Sequence, residues 1–281
     1  MIVDDTVTPE LSPEEFTIAS PGGALPVRLY RPDGSKQLLP LVLYFHGGGF
    51  NSGSLDDAEY PARFIANHCP ALVLAVGYSL APTHPFPTAT EEAYAAAIWA
   101  TRNARKLGAM PELLVVAGDD AGGHIVASLT LMARDRAEVN ITAQILIGPM
   151  LDPSMTRLGD AQKLNSDLTA EQCAKRYQQY FPHSMQRIHP YAAPLECLRL
   201  AGLPPAFIAT AECDVLHVEA EKYAASLISA GVPTQVARFA RVKHADLHTH
   251  DLVLEEVSDF LRRHVKSLNS LFNFQNKDHH A

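Results

Sequence analysis

Residues 115–124, Val115-Val116-Ala117-Gly118-Asp119-Asp120-Ala121-Gly122-Gly123-His124, constrain this chain more than any other stretch. An apolar, β-branched run stops at a glycine, and a small-residue run then opens the helix-like segment Ile125-Val126-Ala127-Ser128-Leu129-Thr130-Leu131. The pattern is a buried strand turning sharply into a helix. Glycines on both sides of such a Gly-x-x-x-Gly turn let the chain pass close to itself and hold the third side chain out in a strained conformation. The third residue is Asp120. Either Asp119 or Asp120 would also serve as an ordinary cap for the helix that follows, so the turn alone does not assign a role.

The rest of the chain extends this strand–helix unit into a sheet. Phe16-Thr17-Ile18 and Leu25 to Tyr30 flank the turn residues Pro21-Gly22-Gly23 and predict an antiparallel pair. Leu39 to Phe45 is a continuous apolar run suited to a strand buried on both faces. A helix follows over 57–68, a buried strand over 71–76, and an extended loop at 81–87 where Pro82, Pro85 and Pro87 exclude regular helix. A long Ala-rich helix over 88–105 leads into the turn, and further strands are expected at 142–147, 205–210 and 235–239. The alternation predicts an α/β fold with a doubly wound, mostly parallel sheet and an antiparallel edge at its start. One domain spans 1–281. Residues 152–191 hold no buried strand and only a helix candidate at 169–181, with a Thr-x-Glu start signal, which predicts a small cap or lid over the strand ends. The stretch 268–281 is polar and weakly patterned, and is expected to be loosely held.

Composition narrows the classes. At 281 residues and 47% hydrophobic content the chain can bury one large core. A net charge of −8 argues against nucleic acid and anionic membrane, since phosphate contacts need clustered Lys and Arg. The four cysteines are widely spaced, with no Cys-x-x-Cys pair, so neither a disulfide framework nor a zinc knuckle is indicated. No basic leader and no apolar run long enough for a bilayer are evident, so a cytoplasmic location without a membrane partner is expected. No Gly-x-Gly-x-x-Gly follows the first strand, so no cofactor is predicted. The expected partner is a small molecule, and a homodimer is left open.

Four places carry chemistry. Asp120 is the first. The second is His46-Gly47-Gly48-Gly49, directly after a buried strand, where consecutive glycines can point N–H groups into one small volume and so hold an oxyanion. A phosphate cradle is the weaker reading, because Phe50-Asn51-Ser52 follows rather than a helix with Lys and Ser or Thr. The third and fourth are Asp214 and His244, each just past a strand, where ligand sites of open α/β sheets lie. The cluster His244, Asp246, His248, His250 and Asp251 raises a metal site as an alternative; it opens the last helix with no second ligand cluster, so no metal is predicted.

Taken in register, these motifs resemble the hormone-sensitive-lipase branch of the α/β-hydrolases, from about Pro26 to about Arg262. His46-Gly47-Gly48-Gly49-Phe50 with Gly53-Ser54-Leu55 resembles that family's oxyanion motif. Tyr78, Leu80-Ala81-Pro82 and His84-Pro85-Phe86-Pro87 resemble its proline-rich loop, Gly118 to His124 its elbow, and Pro190-Tyr191-Ala192, Gly202-Leu203-Pro204-Pro205 and Asp214 its acid region. The resemblance implies hydrolysis of small, mostly apolar carboxylic esters. Asp214 and His244 would be the orienting acid and the base, and the amides of Gly48, Gly49 and Ala121 the oxyanion hole. The family pattern has serine where this chain has Asp120; Gly77, Ser79, Ala245 and Asp246 also depart from it. The short segment ahead of the first strand implies a smaller cap and a more open pocket.

Asp120 in the nucleophile seat leaves turnover open. A carboxylate attacking an ester would form a mixed anhydride with alkoxide as leaving group, an unfavourable step. At saturated carbon it is a competent nucleophile, as in dehalogenases and epoxide hydrolases of this fold. Trp99 is the only tryptophan, so a paired halide site is not evident, and Tyr177 and Tyr180 are candidates to polarise an epoxide oxygen or simply to pack. A third reading is a non-catalytic ligand-binding protein, in which Asp120 holds His244 protonated as a buried ion pair.

Overall fold

The computed structural model describes residues 13–278, apart from 33, 35 and 36. Eight strands form one sheet in the order β1-β2-β4-β3-β5-β6-β7-β8. They are β1 Glu14–Ser20, β2 Gly23–Tyr30, β3 Leu39–Phe45, β4 Leu72–Val76, β5 Ala109–Asp119, β6 Ala143–Ile147, β7 Ala206–Cys213 and β8 Thr234–Lys243. β1 pairs antiparallel with β2, and β2 with β4; every pairing from β4 through β8 is parallel. The α/β architecture and its antiparallel edge are those expected from the alternation of patterns.

Helices cover both faces: α1 Glu59–His68, α2 Thr88–Leu107, α3 Ala121–Arg136, α4 Ala161–Leu164, α5 Ala170–Tyr180, α6 His217–Ser229 and α7 Asp251–Asp278. Because strand side chains alternate, β3 feeds two cores at once. Leu41, Leu43 and Phe45 share a core with residues of α2, α3, α5 and α6; Val42 and Tyr44 share the other with Ala62 and Ile65 of α1 and Val253, Leu254 and Val257 of α7. Burying each such aliphatic side chain contributes roughly 1.5–3 kcal/mol, which suits the continuous apolar runs of β3 and β4.

Element ends shift from the expected ones where a local signal was short-ranged. α2 runs to Leu107 and is closed by Gly108 at φ 83°, whose N–H returns to the carbonyls of Ala104 and Arg105. β7 and β8 run three and four residues further than expected, to Cys213 and Lys243, which sets Asp214 and His244 at the very ends of their strands. α7 takes in most of the stretch 268–281; residues 279–281 lie outside those described. The segment 152–191 carries α4, α5 and a 3₁₀ turn at Ser184–Ile188. Thr169 caps α5, its hydroxyl taking the amide of Gln172 while the Gln172 side chain takes the amide of Thr169. The capping partner is therefore Gln172, not the Glu171 of the Thr-x-Glu signal. Among the described residues no helix is long and apolar enough to cross a membrane.

Candidate active site

β5 ends at Asp119 and α3 begins at Ala121, leaving a single residue to make the turn. Asp120 makes it at φ 49°, ψ −112°, a conformation costing on the order of 1–3 kcal/mol for a residue with a side chain. The surrounding glycines make room for it. A Cβ on Gly118 would lie 2.6 Å from the carbonyl carbon of Gly122, and one on Gly122 would collide with the Phe45 carbonyl. Backbone bonds then lock the elbow: Asp120 N donates to Ile147 O at 2.9 Å, and Asp120 O accepts from His124 N and Met150 N at 3.2 Å each.

The Asp120 side chain does not cap α3. It reaches across to the glycine loop after β3, where Oδ2 accepts the amides of Gly48 at 3.1 Å and Gly49 at 2.7 Å. Positive φ at both glycines, 101° and 59°, aims those amides at one point. The loop is pinned by Ser52 Oγ on Gly48 O at 2.7 Å and by Tyr78 Oη on His46 O at 2.8 Å. Ala121, the third amide expected there, makes no hydrogen bond to Asp120 among the described residues.

His244 arrives from the end of β8. Its Nδ1 donates to Asp214 Oδ2 at 2.9 Å, and Asp214, fully buried, also accepts Leu216 N at 2.9 Å. Its Nε2 stands 3.4 Å from Asp120 Oδ1, which receives no aligned hydrogen bond, so charge rather than bond geometry holds this second pair. Burial pulls the imidazole toward its neutral form, but the charges of Asp214 and Asp120 and the hydrogen bond to Asp214 outweigh it and hold His244 well above its usual range. Burial likewise opposes the charge on Asp120, yet His244, Arg176 and the Gly49 amide keep its carboxyl well below the ordinary value. Both shifts run the same way: His244 and Asp120 each favour the other's charged form.

Two contributors carried no motif. Arg176 of α5 lays its stem across Gly49, and its Nη1 stands 3.8 Å from Asp120 Oδ2. The signal available was its spacing: Cys173, Tyr177 and Tyr180 form the buried stripe of α5, and Arg176 lies three residues after Cys173, on the stripe's edge. Asp167, also from the segment 152–191, accepts the amides of His244 and Ala245 at 3.1 Å each. Tyr177 and Tyr180 instead pack in the aromatic cluster around Phe50, with Tyr180 stacked on Phe50 at 4.1 Å, and Trp99 packs against Phe16. Beside Asp119, whose carboxyl burial pushes up and Tyr44 Oη bonds at 2.8 Å, a cavity of about 180 Å³ opens. Its walls include Gly48, Asp120, Arg176, His244, Leu247 and His248. Among the described residues no three His, Cys, Asp or Glu side chains are arranged to hold a metal ion.

A family model for the alpha/beta hydrolase fold matches residues 42–248. Carboxylesterase NlhH of Mycobacterium tuberculosis is 38% identical over 242 residues, covering 84% of this chain and 76% of that protein. The chain belongs to the α/β-hydrolases, in their hormone-sensitive-lipase branch. Within it, an ethyl acetate hydrolase of Pseudomonas putida is 35% identical over 255 residues, covering 88% of this chain and 79% of its own length. The structure of a hyperthermophilic esterase from Pyrobaculum calidifontis superposes with a TM-score of 0.85 at 36% identity, over 91% of this chain and 86% of that one. This α/β-hydrolase is thus carboxylesterase-like in sequence and in architecture.

Proposed function

We propose that this chain is a carboxylic-ester hydrolase scaffold for small, mostly apolar esters, in which Asp120 occupies the nucleophile seat and holds ester turnover off. The observation that carries the reading is the Asp120 carboxylate itself: Oδ2 sits on the Gly48 and Gly49 amides while Oδ1 faces the His244 imidazolium. Those amides are the donors that would stabilise a tetrahedral oxyanion, and they are already taken. The imidazolium has no free lone pair at Nε2 with which to act as a base.

Serine at 120 reverses both effects. One of the two carboxylates holding His244 protonated is removed, and the amides of Gly48 and Gly49 are released. The serine hydroxyl then passes its proton to His244 Nε2 as its oxygen bonds to the ester carbonyl carbon. The carbonyl oxygen becomes the anion held by the glycine amides, with Ala121 N–H as third donor, and the imidazolium, oriented by Asp214, protonates the departing alcohol. Water repeats the sequence on the acyl-enzyme. Asp120→Ser is expected to release 4-nitrophenol from short-chain 4-nitrophenyl esters at least about a hundredfold faster than the parent, the order attributed to oxyanion donors. A parent that already matches Asp120→Ser, or an Asp120→Ser protein that is folded and inert, sinks the reading.

One observation favours a second reading. Asp120 lines the cavity and its Oδ1 accepts no hydrogen bond, whereas Oδ2 is clamped by two amides, and an unclamped carboxylate oxygen suits attack on saturated carbon. Displacement of a halide or opening of an epoxide would leave an alkyl ester on Asp120, neutral and still seated on the amides; the imidazolium gives its proton to the epoxide's alkoxide, or releases it to solvent as the halide departs, and the neutral His244 then serves as base for the water that hydrolyses the ester. Intact-protein mass spectrometry after exposure to 1-bromobutane and 1,2-epoxybutane tests it: an adduct mapped to Asp120 is expected, and an unmodified chain ends that reading. A folded parent without turnover or adduct that still binds a small molecule is the ligand-binding protein.

A further inference from the structure

Three consecutive residues of the loop after β3 have positive φ: Gly48 at 101°, Gly49 at 59° and Phe50 at 69°. Glycine adopts this region without steric cost, but Phe50 carries a Cβ, and a bulky side chain is disfavoured there. Such a residue persists only where its surroundings over-determine it. The strain is coupled to the site. Gly49 and Phe50 share one peptide plane, so a backbone that relaxes at Phe50 swings that plane and, through two glycines free to rotate, the amides that meet Asp120 Oδ2.

The contacts of Phe50 show what holds it. Its carbonyl accepts Ala81 N at 2.9 Å, and its ring is buried. Tyr180 of α5 lies flat on that ring, with centroids 4.1 Å apart and planes at 5°, closer than His124, edge-on at 5.1 Å, or Tyr177, tilted at 5.9 Å. An aromatic pair of this kind contributes beyond the area it buries. Tyr180 is itself anchored, its carbonyl accepting Phe86 N at 2.9 Å, while its hydroxyl has no hydrogen-bond partner, so the ring is what acts. Gln179 accepts Asn51 Nδ2, and the Arg176 stem lies on Gly49. Residues 176, 179 and 180, one face of α5, thus meet residues 49, 51 and 50. We propose that Tyr180 is a positioning residue for the amide loop: stacked on Phe50, it holds Gly48, Gly49 and Phe50 in the left-handed run that turns the two glycine amides inward. Its effect on turnover rests on the ester-hydrolase reading; its hold on the loop does not.

Two arms test this. In the first, amide exchange is followed by NMR on the parent, Tyr180→Leu and Tyr180→Phe. Exchange at Gly48 and Gly49 is expected to be at least about tenfold faster in Tyr180→Leu, with the amides of β3 and β5 unchanged and Tyr180→Phe like the parent. Parent-like exchange at both glycines, or acceleration spread equally over β3 and β5, makes Tyr180 core packing and overturns the proposal. Phe50→Leu keeps a side chain at this strained position without a flat ring to stack, and must give the same local acceleration. Its failure to do so overturns the proposal even if Tyr180→Leu does not fold. In the second arm, Asp120→Ser/Tyr180→Leu is compared with Asp120→Ser on 4-nitrophenyl acetate. A fall in kcat of about tenfold or more with KM changed less is expected, restored in Asp120→Ser/Tyr180→Phe. Loosened glycine amides with an inert Asp120→Ser remove the esterase reading and leave the hold on the loop. Unchanged amides, with an active Asp120→Ser that Tyr180→Leu does not slow, remove the hold and leave the esterase.

Discussion

Asp120 and His244 stabilise each other's charged forms, and this ties the fold to pH at the level of two side chains. His244 is held above its ordinary value of 6.5, so its contribution is complete below that pH and is lost as pH rises through the folded-state value. Asp120 is held below its ordinary 3.8, so its contribution is present above that pH and is lost as pH falls through its own lowered value. The pair therefore stabilises most between about 3.8 and 6.5 and declines on the alkaline side. Urea midpoints at pH 6 and pH 9 should fall further apart for the parent than for Asp120→Asn, which retains Asp214 as the only carboxylate on the imidazole. Equal pH dependence in the two proteins would show that the carboxylate at 120 does not hold the proton on His244.

The glycine loop, the elbow and α5 are elements whose backbones were chosen by steric demand. Gly122 lies so close to β3 that a Cβ would meet the carbonyls of both Phe45 and His46. Gly122→Ala is expected to cost about 1–3 kcal/mol in urea denaturation, because neither carbonyl belongs to a flexible side chain that can swing away. Thr169→Ala removes one side of the capping box and should cost about 0.5–2 kcal/mol, with faster amide exchange in the first turn of α5. These features were legible in the sequence to different depths. The glycines declared themselves, since sharp turns leave few residue choices. The start of α5 was visible at Thr169, but which side chain closed the box, Glu171 or Gln172, depended on the helix phase. Arg176 was not legible, because a cation at the edge of a buried stripe is ordinarily solvent-facing, and its inward position depends on Gly49 lying beneath it.

At the scale of the whole molecule, the segment 152–191 is tied to the end of β8. Asp167 is exposed, yet it accepts the two amides that begin the His244 loop, tying residues 77 and 78 positions apart in the chain. The segment 152–191 and the sheet are thereby joined at the loop that carries the imidazole. Asp167→Ala in the Asp120→Ser background is expected to lower kcat for a short-chain aryl ester by about tenfold while changing KM less, because a misdirected imidazole affects the reacting geometry more than substrate capture. A change confined to KM would make Asp167 a feature of the pocket wall rather than a positioning residue.

What the sequence by itself determined follows from local rules: apolar β-branched runs require a buried sheet, glycines permit the elbow and the amide loop, and the strand ends set Gly48, Asp120, Asp214 and His244 on one edge. What only the tertiary structure decided is the state of that edge. Which carboxylate oxygen meets the amides, that the imidazole lies between two carboxylates that favour its charged form, and that Arg176 and Asp167 reach the site from the segment 152–191 all depend on distances among segments far apart in the chain. Charge in a desolvated cavity is set by whichever groups packing brings within a few ångströms, and no local pattern encodes that.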